Sequence, residues 1–299
     1  MSETSGAAAA GRVPFGQRLA AAMDEHGPLC VGIDPHPGLL RDWGLPDDVI
    51  GLGQFATTVL QATGPHVAAV KPQAALFERH GSKGVLVLET IIEMARDLGV
   101  LSIVDAKRGD IGSTMQGYAD AYLRDGSALA GDAVTLSPYL GFGSLDPAIE
   151  AARDSGRGVF VLCLTSNPEG ASVQHAVDDA GLSVAAGIAR SAGEVNRIAT
   201  GNESDTSWGP VGLVVGATIG DAARENGVDL AAVRGPLLAP GVGAQGAGAA
   251  ELAQVFGSAR HAVLASSSRG VLKAGPDIVA LRQAAIVASR EAAQALGRA

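Results

Sequence analysis

The chain has 299 residues, a length that fits either two modest domains or one large α/β barrel. Hydrophobic residues make up 47% of it, enough for a sizeable core, but no run of about 18 uncharged apolar residues suggests a membrane-spanning helix. The net charge of −9 argues against binding to nucleic acid or to an anionic membrane. The opening residues, MSETSGAAAAGR, lack the features of a secretory signal, so we expect a disordered lead-in over 1–12 and a cytoplasmic protein.

Eight short apolar runs alternate with segments of helical spacing. One such segment covers Lys83–Leu98 and the last covers Asp277–Leu296. Strands that alternate with helices predict a parallel sheet, and continuous apolar strands predict burial on both faces. Eight unbroken units favour a closed (β/α)8 barrel over an open sheet, as a single domain over 13–299. The runs are Leu29–Ile33, Val67–Val70, Val100–Val104, Ala133–Leu136, Val159–Leu164, Val211–Val215, Pro236–Ala239 and Ala262–Ala265.

Charged side chains directly follow several of these runs. Asp34 follows the first run and Lys71 the second, while the third continues as VDAKRGD with Asp105, Lys107 and Asp110. We call Lys71, Asp105, Lys107 and Asp110 the charge array. Because the carboxyl ends of parallel strands meet at one mouth of a barrel, we expect an active site there.

The spacing within VDAKRGD predicts how its side chains point. Residues two apart on a strand share a face, so Asp105 and Lys107 are expected to point together into the mouth. Arg108 is out of phase and is expected to be solvated or ion-paired, and Asp110 falls in the turn beyond the strand. Neighbouring carboxylates would keep Lys107 protonated and fixed. The alternative is an ordinary structural ion-pair network.

The positions of the lysines, cysteines and histidines limit the candidates for catalytic and metal-binding residues. Only four of the 22 basic residues are lysines, and Lys83 and Lys273 are expected to be ordinary surface residues. Cys30 and Cys163 lie in apolar runs and are expected to be buried reduced thiols. The six histidines show no pair at ligand spacing, so we predict no metal site.

Two glycine- and serine-rich loops follow the seventh and eighth runs, as PGVGAQG (240–246) and SSSRG (266–270). Glycines let backbone N–H groups approach an anion, and an arginine adds a charge-assisted donor. Barrel enzymes often bind phosphate with the loops after strands seven and eight. We therefore predict a phosphate site in these two loops, which include Pro240, Gly241, Gly243, Gln245, Ser268 and Arg269, with Arg269 as the charged donor.

Together these residues resemble the orotidine 5′-phosphate decarboxylase family from Asp34 to Arg269. The length and the segment DAKRGDIGST resemble the longer bacterial branch, whereas KPQAALFERHG and the loop at 204–209 depart from the shorter members. An S-N-P segment at 166–168 matches as well. The most specific motif is D-x-K-x-x-D-I-x-x-T, present as Asp105, Lys107, Asp110, Ile111 and Thr114.

The resemblance implies a cofactor-free conversion of orotidine 5′-phosphate to UMP and CO2 in de novo pyrimidine biosynthesis. Asp34 would bind the ribose hydroxyls, and Lys71 would join the ribose to the acidic residues. Ser166 would contact the pyrimidine edge. Gln245 and Arg269 would bind the phosphate.

The resemblance also implies a homodimer with shared active sites, since Asp110, Ile111 and Thr114 would cross into the partner's site. Loss of CO2 leaves an electron pair on pyrimidine C6 that no π system accepts, so a nearby cation must stabilise it. Lys107 would do so and then supply the proton. Asp105 would lie beside the substrate carboxylate, within a preorganised electrostatic site.

Two other functions are weighed against this one. Mg2+-dependent sugar-phosphate lyases and decarboxylases of the same superfamily share D-x-K-x-x-D, but they carry a glutamate ligand where this chain has Lys71, which would repel a divalent cation. A non-enzymatic phosphate-binding barrel would explain the glycine loop and Arg269 but would leave the charge array without a role.

Overall fold

The apolar runs form eight parallel strands that close into a barrel in chain order, with β8 pairing back onto β1. The structure, a computed structural model, describes residues 11–201, 207–242 and 246–298. The prediction of a single-domain (β/α)8 barrel is confirmed, and three of the predicted runs match their strands at both ends. The strands are β1 Leu29–Ile33, β2 Ala69–Pro72, β3 Leu101–Arg108, β4 Ala133–Leu136, β5 Gly158–Leu164, β6 Val211–Val215, β7 Leu237–Pro240 and β8 Val263–Ser267.

Helices connect the strands and pack around them. The predicted helix at 83–98 is observed as Gly81–Asp97, and the last helix begins one residue after Asp277, whose side chain accepts a hydrogen bond from Ala280 N at 2.7 Å as an N-cap. The helices are α1 Phe15–His26, α2 Pro37–Asp42, α3 Val49–Thr63, α4 Ala74–Glu78, α5 Gly81–Asp97, α6 Gly112–Leu123, α7 Asp146–Ser155, α8 Ala171–Gln174, α9 Val184–Thr200, α10 Ala222–Glu225, α11 Ala249–Phe256, α12 Arg269–Leu272 and α13 Ile278–Leu296.

Buried apolar residues form two clusters, one between the strands and the surrounding helices and one inside the barrel. The inner cluster takes a buried residue from every strand, such as Cys30 of β1 and Phe160 of β5. Helix α1 adds Phe15, Leu19 and Met23 to the same cluster. The helix therefore closes the amino-terminal end of the barrel and leaves the carboxyl-terminal mouth for chemistry.

Aromatic and polar contacts hold α1 in place. Phe15 meets the ring of Phe160 edge-on, with centroids 5.9 Å apart. Arg18 forms an ion pair with Asp132 and donates to Gly156 O at 3.1 Å. These contacts fix a hydrophobic plug without using any residue of the predicted site.

Parts of two predicted loop segments lie outside the described residues, namely 1–10 of the lead-in and 202–206 of the polar loop at 200–209. The disordered lead-in therefore stays a prediction, although Arg12 at its end donates to Ser155 O at 2.7 Å. Among the described helices, none is long and apolar enough to cross a membrane.

Candidate active site

A cavity of about 970 Å³ extends from the carboxyl ends of the strands, where the sequence predicts the site, to a face of α13. The charges and the predicted phosphate loops meet there because every strand of a parallel barrel ends at the same mouth. Eight of the predicted site residues line this cavity. They are Asp34, Lys71, Asp105, Lys107, Pro240, Gly241, Ser268 and Arg269.

The carboxylate of Asp105 is the centre of the charged cluster. Its Oδ2 accepts from Lys71 Nζ at 2.8 Å and from Gln73 Nε2 at 3.1 Å. Its Oδ1 accepts from Lys107 Nζ at 2.6 Å and from Thr135 Oγ1 at 2.8 Å. Four donors therefore hold one carboxylate in a single orientation, and two of them carry a positive charge.

Burial and charge act against each other in this cluster. Burial alone would raise the pKa of Asp105, but the ammonium groups of Lys71 and Lys107 outweigh it and hold that pKa well below its ordinary value. Burial likewise opposes the charge of Lys71, but Asp105 and Asp34 raise its pKa above the ordinary value. Lys71 and Asp105 are therefore charged together at neutral pH, which is the state that the charge array requires of this pair.

The two lysines differ in access to the cavity. The Lys71 side chain is 7% exposed, whereas that of Lys107 is 44% exposed. Both lysines line the cavity, but the ammonium group of Lys107 is the more accessible to a bound ligand.

An irregularity in β3 places Lys107 at the cavity. Its register against β4 shifts between Val104 and Arg108, and Lys107 has a φ of +48°. Side chains other than glycine rarely occupy this left-handed region, and such residues concentrate at functional sites. The simple alternation used for the prediction therefore breaks at Lys107, although Asp105 and Lys107 do meet at the mouth as expected.

Asp34 brings an unused polar atom to the same place. It follows β1, and its Oδ1 is buried with no hydrogen-bond partner among the described residues. A buried carboxylate oxygen without a partner is rare, and a bound hydroxyl group would supply one. The position suits a group that donates hydrogen bonds to a carboxylate.

The loop after β7 folds tightly on itself. Gly241 has a φ of +91°, and its carbonyl accepts from Ala247 N at 2.9 Å. A Cβ on Gly246 would lie 1.9 Å from Gly241 O, so glycine is required there. Predicted residues Gly243 and Gln245 lie outside the described residues.

Arg269 follows β8 on the other side of this loop. Its side chain is exposed at the cavity, and within the ranges that the structure describes no acidic residue pairs with it. Pro240 pairs with Ser266 across β7 and β8, which brings the two predicted phosphate loops together.

Four predicted site residues do not line the cavity of this single chain: Asp110, Ile111, Thr114 and Ser166. Asp110 lies beyond β3, as expected, and its Oδ1 accepts from Ile111 N at 2.8 Å. Ile111 is 61% exposed, and Thr114 and Ser166 are exposed too. The structure of one chain thus brings together three members of the charge array and leaves Asp110 apart.

Two residues of the cluster were not predicted, Gln73 and Thr135. Each had a weak signal in the sequence. Gln73 is two residues beyond Lys71, directly after the second strand, and Thr135 is the one polar residue in the run AVTL. Hydroxyl and amide groups of this kind become informative only when their partner is known.

The minor predictions hold. Arg108 is ion-paired with Glu78, and Lys83 and Lys273 are exposed. Both cysteines are buried free thiols, Cys30 and Cys163. That the protein binds no metal stays a prediction; among the residues that the structure describes, no group of three or more His, Cys, Asp or Glu residues is placed to hold a metal ion.

Fold and site define a (β/α)8-barrel enzyme with a lysine–carboxylate cluster at its mouth. The chain belongs to the orotidine 5′-phosphate decarboxylase/HUMPS family, whose model matches residues 27–284. It is 56% identical to orotidine 5′-phosphate decarboxylase of Streptomyces coelicolor over 272 residues, covering 91% of this chain and 94% of the relative. The enzyme of the same name from Salinispora arenicola is 59% identical over 271 residues, with the same coverage of both chains.

A solved structure agrees in fold. The Streptomyces avermitilis protein, assigned as an orotidine 5′-phosphate decarboxylase, superposes with a TM-score of 0.90 at 54% identity. The match covers 99% of this chain and all of that one. The relationship therefore extends over the whole barrel.

Proposed function

We propose that the chain decarboxylates orotidine 5′-phosphate to UMP and CO2 in de novo pyrimidine biosynthesis. The observation that carries the proposal is the Asp105 carboxylate held between two lysines at the mouth of the barrel. The names of the relatives, at 56% and 59% identity over most of the chain, support the same activity.

Lys107 carries the chemistry in this proposal. The bond between C6 and the carboxylate breaks, its electron pair stays on C6, and CO2 leaves. The ammonium of Lys107 stabilises the developing charge because it is preorganised by its 2.6 Å contact with Asp105. It then transfers a proton to C6 and is reprotonated from solvent. The greater exposure of Lys107, compared with Lys71, favours it as the donor.

The remaining cavity residues bind the substrate. Asp34, with its unpartnered Oδ1, would accept from the ribose hydroxyls, and Lys71 interacts electrostatically with both Asp34 and Asp105. Arg269 would bind the phosphate with the loop after β7, where we keep Gly243 and Gln245 as predicted contacts. Binding energy from the phosphate would help to position the pyrimidine for the chemical step.

The cluster favours a reaction without a divalent cation. Both oxygens of Asp105 already accept hydrogen bonds from lysine ammonium groups. A Mg2+ ion at this carboxylate would meet two positive charges within a few ångströms, and it prefers carboxylates free to coordinate it. The Mg2+-dependent alternative therefore fits these residues poorly.

A homodimer with shared sites is part of the proposal. Ile111 and Thr114 stand exposed beyond β3, and Asp110 is half-buried there; none of the three lines the cavity of its own chain. Tyr139 and Leu140, which follow β4, are exposed by 78% and 53%. Exposed apolar side chains, together with a carboxylate that does not line its own cavity, are what a two-fold interface would bury.

Two further expectations belong to the same proposal. We assign the pyrimidine edge to Ser166, which lies in the loop after β5. We also assign the protein to the cytoplasm, which the two unpaired thiols, Cys30 and Cys163, support because disulfides are rare there.

Turnover in a chelator tests the function. The purified full-length chain, treated with EDTA, is given orotidine 5′-phosphate, and UMP is measured by chromatography. We expect stoichiometric UMP, with or without added Mg2+. Absence of UMP would refute the substrate, and activity that disappears with EDTA and returns with Mg2+ would refute the metal-free mechanism.

A further inference from the structure

The one polar residue of β4, Thr135, is buried among apolar neighbours. Thr135 is 1% exposed in a strand whose other residues are Ala133, Val134 and Leu136. A buried hydroxyl is costly unless it is hydrogen-bonded, and valine would fill the same volume without that cost. The hydroxyl therefore has to make bonds that a methyl group cannot.

The hydroxyl of Thr135 links two parts of the charged cluster. It accepts a hydrogen bond from Lys107 N at 2.9 Å and donates one to Asp105 Oδ1 at 2.8 Å. Lys107 Nζ contacts that same Oδ1 at 2.6 Å. A closed set of contacts thus runs from the Lys107 backbone through Thr135 and Asp105 to the Lys107 ammonium.

The strand register shows why a side chain is needed here. Val104 pairs with Val134 and Arg108 pairs with Leu136, so Thr135 alone stands opposite three residues of β3. Such a bulge leaves backbone groups without their ladder partners. The Lys107 N–H is one of these groups, and the Thr135 hydroxyl takes the place of the missing acceptor.

The same contact supports an unusual backbone. Lys107 has a φ of +48°, and such a conformation persists only where surrounding contacts impose it. Without the acceptor at Thr135, the segment from Asp105 to Lys107 would lose the bond that defines the bulge. The ammonium and the carboxylate would then lose their common orientation.

We propose that Thr135 is a positioning residue that holds Lys107 and Asp105 in their reactive arrangement through its hydroxyl group. It acts through these two residues rather than by touching the reacting atoms. The inference rests on the proposed role of Lys107 and deepens it.

The test removes the hydroxyl at nearly constant volume. Thr135→Val should lower kcat by about ten- to a hundredfold, because both Lys107 N and Asp105 lose a buried partner. The dissociation constant for UMP, measured by calorimetry, should change by less than about twofold. Thr135→Ser should keep most of kcat, whereas Thr135→Ala should resemble the valine variant.

A matched control separates positioning from general loosening of the barrel. Thr63 is also fully buried, and its hydroxyl donates to Val59 O at 2.8 Å within α3. Thr63→Val should leave kcat nearly unchanged. If Thr135→Val does not fold, the serine and alanine variants still differ by a single oxygen atom and decide the question.

Three results would overturn the inference: a valine variant with wild-type kcat, serine no better than alanine, or a fall in kcat matched by an equal loss of UMP affinity. Failure of the proposed function is distinct, because the wild-type chain would then form no UMP from orotidine 5′-phosphate. Failure of the proposed role of Lys107 would appear as substantial turnover by Lys107→Ala, whatever Thr135 does.

Discussion

Replacing Asp105 with asparagine removes one negative charge from between two ammonium groups while keeping the size of the side chain. Lys71, at 2.8 Å, is buried and would keep only Asp34 as a nearby counter-charge. The asparagine would also turn an NH2 group toward donors that now contact a carboxylate oxygen.

The size of the effect follows from burial. Asp105 and Lys71 are each 6% exposed, so water does not compensate for the lost charge. Removing one partner of a buried ion pair typically costs about 3–5 kcal/mol, a large share of a domain's total stability of about 5–15 kcal/mol. For a domain of this size, we expect the melting temperature to fall by roughly 10 °C.

The loss should also depend on pH, and its sign can be derived. In the wild type, the Asp105 pKa is lowered, so its contribution is complete above the unfolded pKa of about 3.9. The Lys71 pKa is raised, so its contribution is complete below the unfolded pKa of about 10.4. The pair therefore contributes a constant amount between about pH 5 and pH 9.

In the variant, burial dominates and the Lys71 pKa should fall below its unfolded value. The unfolded chain then binds more protons than the folded chain, so the stability of the variant rises with pH. The difference from wild type should be largest near pH 6 and smaller near pH 9.

Urea unfolding at the two pH values measures this difference. Asp47→Asn is the matched control, because Asp47 pairs with Arg79 at 2.7 Å at the protein surface, and it should cost much less. Wild-type stability in Asp105→Asn, or a loss that is the same at both pH values, would contradict the burial argument.

Two further predictions concern the phosphate and the partner subunit. Arg269→Ala should lower kcat/KM for orotidine 5′-phosphate by about 10- to 100-fold, the effect of losing a charge-assisted hydrogen bond, and should spare the phosphate-free nucleoside. Lys273→Ala removes another exposed cation at the same cavity and should leave kcat/KM for orotidine 5′-phosphate nearly unchanged. Equal losses of Arg269→Ala on both substrates would point to damaged folding. Homodimers of Lys107→Ala and of Asp110→Ala should each be nearly inactive. Subunit exchange between them should restore roughly a quarter of wild-type activity, because half of the dimers are mixed and each mixed dimer has one intact site of two. Verified exchange without recovery would place Asp110 in its own chain's site.

Sequence patterns predicted all eight strands but only some of their ends. Leu29–Ile33, Ala133–Leu136 and Val211–Val215 are predicted at both boundaries, because strands buried on both faces are continuous apolar runs. β3 was predicted to end at Val104 but extends to Arg108. The charged residues end the apolar run, and their pairing across the barrel is not visible in a single sequence.

The sequence likewise predicted some residues of the site and missed others. The position of charges after the runs predicted the meeting of Lys71, Asp105 and Lys107, since parallel strands end together. Gln73 and Thr135 were missed, because their role depends on a bulge and on residues far away in the chain. The plug formed by α1 had a usable signal, the helical spacing of Phe15, Leu19 and Met23.

The most direct test of the account is the turnover of Lys107 variants on orotidine 5′-phosphate, with UMP affinity and melting temperature measured alongside to confirm folding. If Lys107 stabilises the charge on C6 and supplies the proton, Lys107→Ala should lose on the order of 10⁴-fold or more in kcat. Lys107→Arg should recover little, because a guanidinium keeps the charge but does not give up a proton. Near-normal turnover by either folded variant would contradict the mechanism.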